Sequence, residues 1–485
     1  MSSSASSFSS RLCAAKKLYS DGNPKAAAAS FEDLLSDAAN GEEVSSNSEA
    51  AADSGGRPSR NVADLHLSLA KCHKSTDDVR SAVASCNAAI SLGPKWKDPF
   101  LYRSACFQAL HQAFVETDGD SESNVERDRT EANIIVDPEE RTSASRGSEG
   151  KTCVASVDEA LQASKEGDRI FVEKGEYYVS SSPLFICGKS VSIIGASTRD
   201  CVFNYTSPGS DASSSSSALA SRLNTFLICA GEESPVLLKR LTFRNVCQPG
   251  AQSSTKTRFL GVAGGTVQVE DCVFEGGEGG DGEEEAAADV DAIYANAKIA
   301  GALAANYAPP KVHARFCVFD HCQSYAAFTV NNASAVAESC YFVGSRLSAM
   351  ENSRVTVENC EFAQSGSGER TMVQSIGASR AEIEVRGCYI HGIQTRDDKD
   401  SMLILDLSAS VFGRELGQKR SFHFDHSINS HSHQHEFDMQ PVVSPTPYLR
   451  QRARRPSPSP PDPTPLYLGT TFTGRGTASP VTTPT

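Results

Sequence analysis

Cysteine is the residue type in this chain best placed to do chemistry, with fifteen copies. Five of them, Cys272, Cys317, Cys340, Cys360 and Cys388, hold one position of a recurring phrase: apolar-x-apolar-x-x-Cys-x-aromatic or aliphatic. Redox or metal chemistry needs a thiolate near positive charge, or further ligands at coordinating spacing. No Cys-x-x-Cys pair occurs, and the phrase sets apolar positions on both sides of each Cys. The five are therefore expected to stack inward as a structural cysteine ladder, packing as small hydrophobes.

Other constellations read the same way. Asp397-Asp398-Lys399-Asp400 holds adjacent acids, but a Lys within the run makes it a solvated turn. The acidic run 278–291 has carboxylates enough for Ca²⁺ and none of the regular alternation of a Ca²⁺ loop. His423, His426, His431, His433 and His435 fall within thirteen residues, a density that can attract Zn²⁺, Ni²⁺ or Cu²⁺. A specific site needs preorganisation, which a polar segment does not supply. The expectation is no catalytic residue, no metal and no cofactor. The cluster Arg450, Arg452, Arg454 and Arg455 before Pro-Ser-Pro-Ser-Pro-Pro reads as a nuclear signal, a phosphorylation segment or a solubilising tail.

Composition narrows the classes. The chain has 485 residues, 39% hydrophobic and 22% charged, with a formal net charge of −14. Two segments carry the acidity: 116–149 contributes −7 and 275–291 contributes −8, which leaves the remainder at +1. Neither nucleic acid nor a membrane is expected as a partner. No apolar run reaches the roughly 18 residues that a spanning helix needs, and the opening MSSSASSFSSRLCAA lacks the apolar core of a secretory signal. A cytoplasmic or nuclear protein with reduced thiols, not a secreted one, is the resulting expectation.

Two sequence periods must position these residues. In 8–115, small and large residues alternate at Ala15, Leu18, Ala27, Phe31 and Leu34, and again at Ala70, His73, Ala82, Cys86 and Ala89 before Pro94. Ser20-Asp-Gly22-Asn-Pro24 supplies a turn between paired helices, and a further first helix starts near Pro99. This pattern resembles the tetratricopeptide repeat. Residues 1–116 are expected to form that module, with 40–60 as an inserted loop, and 117–150 an acidic flexible linker. From 151 to 412 the phrase recurs as VLLKRLTF (236), VQVEDCVF (267), VHARFCVF (312), AVAESCYF (335), VTVENCEF (355) and IEVRGCYI (383). Steps of 20 and 28 residues suit one circuit of a parallel β-helix and are too short for propeller blades. The repeat resembles the right-handed parallel β-helix of pectin-lyase-like proteins, with loops expected at 206–224 and 275–311. Residues 413–485, His-rich and then Pro/Ser/Thr-rich, are expected to be disordered. The fold class is thus multidomain α plus β.

The resemblances carry functional implications. The catalytic phrases of pectin esterases (Gln-Asp-Thr) and of the hydrolases (Gly-His-Gly, Arg-Ile-Lys) do not occur, and Gly175-Glu-Tyr177 echoes only an opening turn. In the tetratricopeptide family a position of each first helix lines a concave groove. Lys16 and Lys71 fall there, with Lys74 one turn on and Arg103 in the third helix, where the resemblance to a carboxylate clamp places an Arg. Lys16 and Ser68 stand where that clamp has Asn. The resemblance implies a cationic groove for an acidic or C-terminal peptide. The expected function is a non-enzymatic adaptor or scaffold binding protein partners. The alternatives are a carbohydrate-binding or carbohydrate-active β-helix protein and, by fold analogy, a ubiquitin-ligase substrate receptor.

Overall fold

The structure is a computed structural model describing residues 3–39, 59–92, 96–116, 122–138, 151–179, 184–206, 226–230, 235–246, 257–276, 290–299, 307–322, 328–363, 376–379, 381–391, 410–412, 466–468 and 472–476. It divides into two compact units, with residues 1–112 the body of the first and 113–422 the body of the second.

The first unit is helical: α1 (Ser3–Ser20), α2 (Pro24–Ala39), α3 (Ser59–Ser75), α4 (Val79–Leu92) and most of α5 (Lys97–Glu116). Gly22 turns the chain between α1 and α2 at φ 79°, a conformation open to glycine at little cost, and Asn23 caps α2 through the Ala26 N–H. Asp78 caps α4 in the same manner through the Ser81 N–H. Ala27, Phe31 and Leu34 lie on one stripe of α2 and bury against Ala15, Leu65, Leu69 and Cys72. The helices follow the expected spacing of the apolar positions.

The second unit is built of three sheets. Between Arg169 and His391 successive strands go to the first, second and third sheet in strict rotation, one strand of each per circuit, and neighbours within each sheet run parallel. This is the topology of a parallel β-helix. The six phrases stack in register, with Val236, Val267, Val312, Ala335, Val355 and Ile383 as successive Cα partners in the first sheet. Inside, Phe243, Phe274, Phe319, Phe342 and Phe362 of the second sheet form one stack with centroid separations of 5.1, 5.1, 4.6 and 4.5 Å. Those spacings match the strand separation of about 4.8 Å, so identical side chains fall into van der Waals contact by symmetry of the repeat.

The corner between first and second sheets explains the phrase. Arg240, Asp271, Phe316, Ser339, Asn359 and Gly387 all adopt positive φ, from 51° to 59°. A bulky residue such as Phe316 resists that region. What offsets the cost is an unbroken ladder around the bend: the corner N–H groups of Arg240, Asp271, Phe316, Ser339 and Asn359 donate to carbonyls of the next circuit at 2.8–3.2 Å.

Two expectations need correction. The span 117–150 is not simply a linker, because it holds α6 (Glu122–Glu131) and a strand, Ile134–Val136, paired between Thr152–Val154 and Arg169–Val172 in the first sheet. Ile-Ile-Val is apolar enough to join a buried sheet although the acids around it dominate the composition. The span 275–311 is not one loop, since Val290–Asn296 is a third-sheet strand paired with Thr257–Gly264 and Phe328–Asn331. Within 413–485, the strand Phe472–Gly476 runs antiparallel to Glu382–Arg386, pairing an edge that would otherwise present open backbone groups. The loop 40–60 except its last two residues, the loop 207–224, the acidic run 277–289, Asp397–Asp400, the histidine cluster and the Arg cluster lie outside the described residues.

Candidate functional site

Two surfaces and one buried hub organise the polar side chains. In the helical unit, Lys16 and Lys71 are exposed. The Tyr19 and Ser75 hydroxyls meet at 3.2 Å, tying the C-terminal ends of α1 and α3 together. One turn back from that contact stand Lys16, three residues before Tyr19, and Lys71, four before Ser75. Lys74 is half-buried: its Nζ donates to the Ala105 carbonyl at 3.0 Å and lies 5.5 Å from the Tyr102 ring centroid. That anchors α3 on α5 and withdraws Lys74 from the free surface.

Arg103 departs from its expected place. It is fully buried, its Nη1 donating to Asn87 Oδ1 at 2.8 Å, with the guanidinium 5.4 and 6.0 Å from the Phe100 and Phe107 rings. An arginine held by an amide and two aromatic faces is part of the α4–α5 packing and not a groove cation. Of the four residues expected to line a groove, Lys16 and Lys71 are the two exposed ones.

The cysteine ladder is inward. Cys272, Cys317, Cys340, Cys360 and Cys388 are all buried. Each thiol shares its proton between the carbonyl two residues before it and a carbonyl of an adjacent circuit, at 3.2–3.6 Å. A thiol at this corner is small enough to follow a left-handed residue and polar enough to answer two carbonyls, which Ala or Val is not. Burial pushes the Cys272 and Cys340 thiols well above the ordinary range, the opposite of what a nucleophile needs. Cys322 is similarly buried and raised, and Cys201 is pushed up to about 12 by burial; neither belongs to the phrase.

On the outer faces of the circuits several charges are paired. In the second sheet Arg244 meets Glu275 at 2.5 Å. In the first, Glu338 meets His313 at 3.3 Å and Arg315 at 3.5 Å, while Arg386 meets Glu358 at 2.9 Å and also Glu384. The third sheet carries a connected polar strip. Arg258 reaches Asp291 at 3.2 Å and lies 3.7 Å over the Tyr294 ring, and Asn296 donates to the Tyr294 hydroxyl at 2.7 Å. Farther along, Asn332 donates to Asn331 at 2.6 Å, Asn352 donates to Asn332 at 3.2 Å, and Lys298 meets Glu351 at 3.6 Å. Among the described residues, no three His, Cys, Asp or Glu side chains are gathered as a metal ion would require.

The hub is Asp128 of α6. It is buried and accepts from Arg240 at 2.7 Å and Arg169 at 2.9 Å, and Arg240 also donates to the Gly195 carbonyl at 2.8 Å. Two guanidinium groups on one carboxylate fasten α6 to the first circuits. Sequence reasoning missed this hub because Asp128 stands in an acidic run 112 residues from Arg240. It missed the polar strip too, although Tyr294-Ala-Asn296 and Thr329-Val-Asn331 repeat a polar-apolar-Asn pattern that could have aligned their strands.

No family model, curated protein or solved structure matches this chain. No helix among the described residues is long and apolar enough to cross a membrane.

Proposed function

We propose that the chain is a non-enzymatic adaptor, in which a tetratricopeptide-like module takes an acidic peptide and a right-handed, pectin-lyase-like β-helix offers a rigid second surface to another protein. The observation that carries the reading is the contrast between cations. Lys16 on α1 and Lys71 on α3 stand exposed, each one turn before the Tyr19–Ser75 contact, whereas the outer carboxylates Glu275, Glu338 and Glu358 are engaged by Arg244, Arg315 and Arg386. A hydrolytic site needs two carboxylates set apart across a bond, each with its own protonation state. Compensated ion pairs do not provide that.

The test is capture of protein partners by the full chain, compared with a Lys16→Glu/Lys71→Glu double variant. The variant should lose partners held through acidic segments, and the loss should parallel that produced by added salt. If the double reversal leaves every partner bound, the groove reading fails. A second reading, carbohydrate binding, is favoured by the amide- and hydroxyl-bearing strip of the third sheet. Retention of the full chain on immobilised polysaccharides, abolished by Asn296→Ala, would establish it in place of the adaptor reading.

A further inference from the structure

One pair of cysteines outside the ladder joins an exposed thiol to a buried one. Cys187 ends the strand Leu184–Cys187 and Cys229 ends the strand Phe226–Cys229, and the two are Cα partners in the third sheet. Partners on adjacent parallel strands lie about 4.8 Å apart, inside the Cα window of about 4.4–6.8 Å that a disulfide spans. Both follow the alternation that sends Phe185 outward, with Leu184 and Ile186 inward. They are unequal in access. Cys187 is exposed, while Cys229 is fully buried in a small cluster with Leu227, Ala263, Ile299 and Tyr307.

The electrostatics follow the same asymmetry. The neighbouring Cys229 thiol, reinforced by the Cys229 backbone N–H and the Lys189 charge, brings Cys187 down to about 7 against the opposing effect of burial. The same proximity of the two thiols, together with burial, pushes Cys229 upward. Gly188 follows directly at φ 68°, and its N–H donates to the Cys229 carbonyl at 3.0 Å, so the strand stops at the thiol pair.

We propose that Cys187 and Cys229 form a dithiol site that exchanges with low-molecular-weight disulfides, Cys187 attacking and Cys229 resolving. In the first step the Cys187 thiolate attacks one sulfur of the small disulfide. A mixed disulfide forms and the other half leaves as a thiolate. In the second step Cys229 gives its proton to that thiolate and attacks Cys187 Sγ, breaking the mixed disulfide and releasing the second half as a thiolate, which takes a proton from water. Two protein thiols are oxidised to one disulfide, and one small disulfide is reduced to two thiols. An attacking thiol ionising near ambient pH is the fastest choice for such exchange, because it balances thiolate fraction against nucleophilicity.

The experiment uses the reduced full chain and oxidised glutathione at neutral pH, quenched by acid and mapped by peptide mass spectrometry. The wild-type protein should yield the Cys187 and Cys229 peptides joined. Cys229→Ser should instead accumulate glutathione on Cys187, and Cys187→Ser should leave Cys229 unmodified. A measurement free of variants accompanies these: at about pH 6.5, Cys187 of the wild-type chain should react with iodoacetamide about five-fold faster than an unstructured cysteine peptide. Alkylation no faster than that peptide overturns the proposal. So does glutathione that stays on wild-type Cys187 with no joined peptide.

Discussion

Each unit of the molecule buries an arginine, and the two are held differently. Arg103 in the helical unit is fully enclosed and leans on the Asn87 amide and the Phe100 and Phe107 rings. Arg240 in the coiled unit sits at a left-handed corner and points its charge at Asp128, which it shares with Arg169. In sequence Arg103 resembles a ligand-binding residue, yet its role is packing. Arg240 reads as an ordinary member of the repeat phrase, while its counter-charge comes from a segment that reads as linker. Position in a repeat therefore indicates whether a side chain points inward, but not what meets it there.

The comparison breaks most visibly at Asp128. Replacing it by Ala removes the carboxylate from two arginines, one of them buried, and breaking a buried pair costs about 3–5 kcal/mol. Asp128→Ala should lower the denaturant midpoint of the full chain correspondingly, and should release α6, seen as new amide hydrogen exchange across 122–137. A flexible linker would give no change in either measurement. Arg103→Ala should cost less, about 1–3 kcal/mol for the lost Asn87 bond and ring contacts. Its effect on peptide capture should then follow the loss of folded helical unit in circular dichroism. An undiminished fold with selectively lost capture would return Arg103 to the groove.

The legible parts of this protein are those in which the same physical demand recurs. The Cys corner could be read, and the inward ring position with it, because four successive circuits carry a small thiol and a ring at the same two inward places, so the residue types repeat at 267–274, 312–319, 335–342 and 355–362. Helix faces were legible for the same reason, through Ala27, Phe31 and Leu34. Outward positions meet no such demand. Gln268, His313, Val336, Thr356 and Glu384 share one rung of the first sheet and have little chemistry in common. The Asp128 hub and the Cys187–Cys229 pair depend on partners brought close by winding, 112 residues away in the first case and a full circuit away in the other. Nothing in a local window of sequence carries that proximity.

The smallest expected effect tests why the corner is a thiol. The Cys272 and Cys340 pKa values are raised in the folded protein by burial. In the unfolded chain a thiol ionises near 8.5, so above about that pH the unfolded state holds fewer protons than the folded one. Stability is then fully present below about pH 8.5 and falls as the pH rises toward the folded values, by at most about 1.4 kcal/mol per pH unit for each such thiol. Urea denaturation of the full chain between about pH 8.5 and 9.5, where few lysines or tyrosines yet titrate, should show this decline. Cys340→Ala should start lower, because two carbonyls lose their donor, and should decline less steeply by one thiol's share. If wild type and variant decline with equal slopes, the Cys340 thiol does not stay protonated, and its hydrogen bonds to the Ala314 and Glu338 carbonyls cannot be what selects cysteine at the corner.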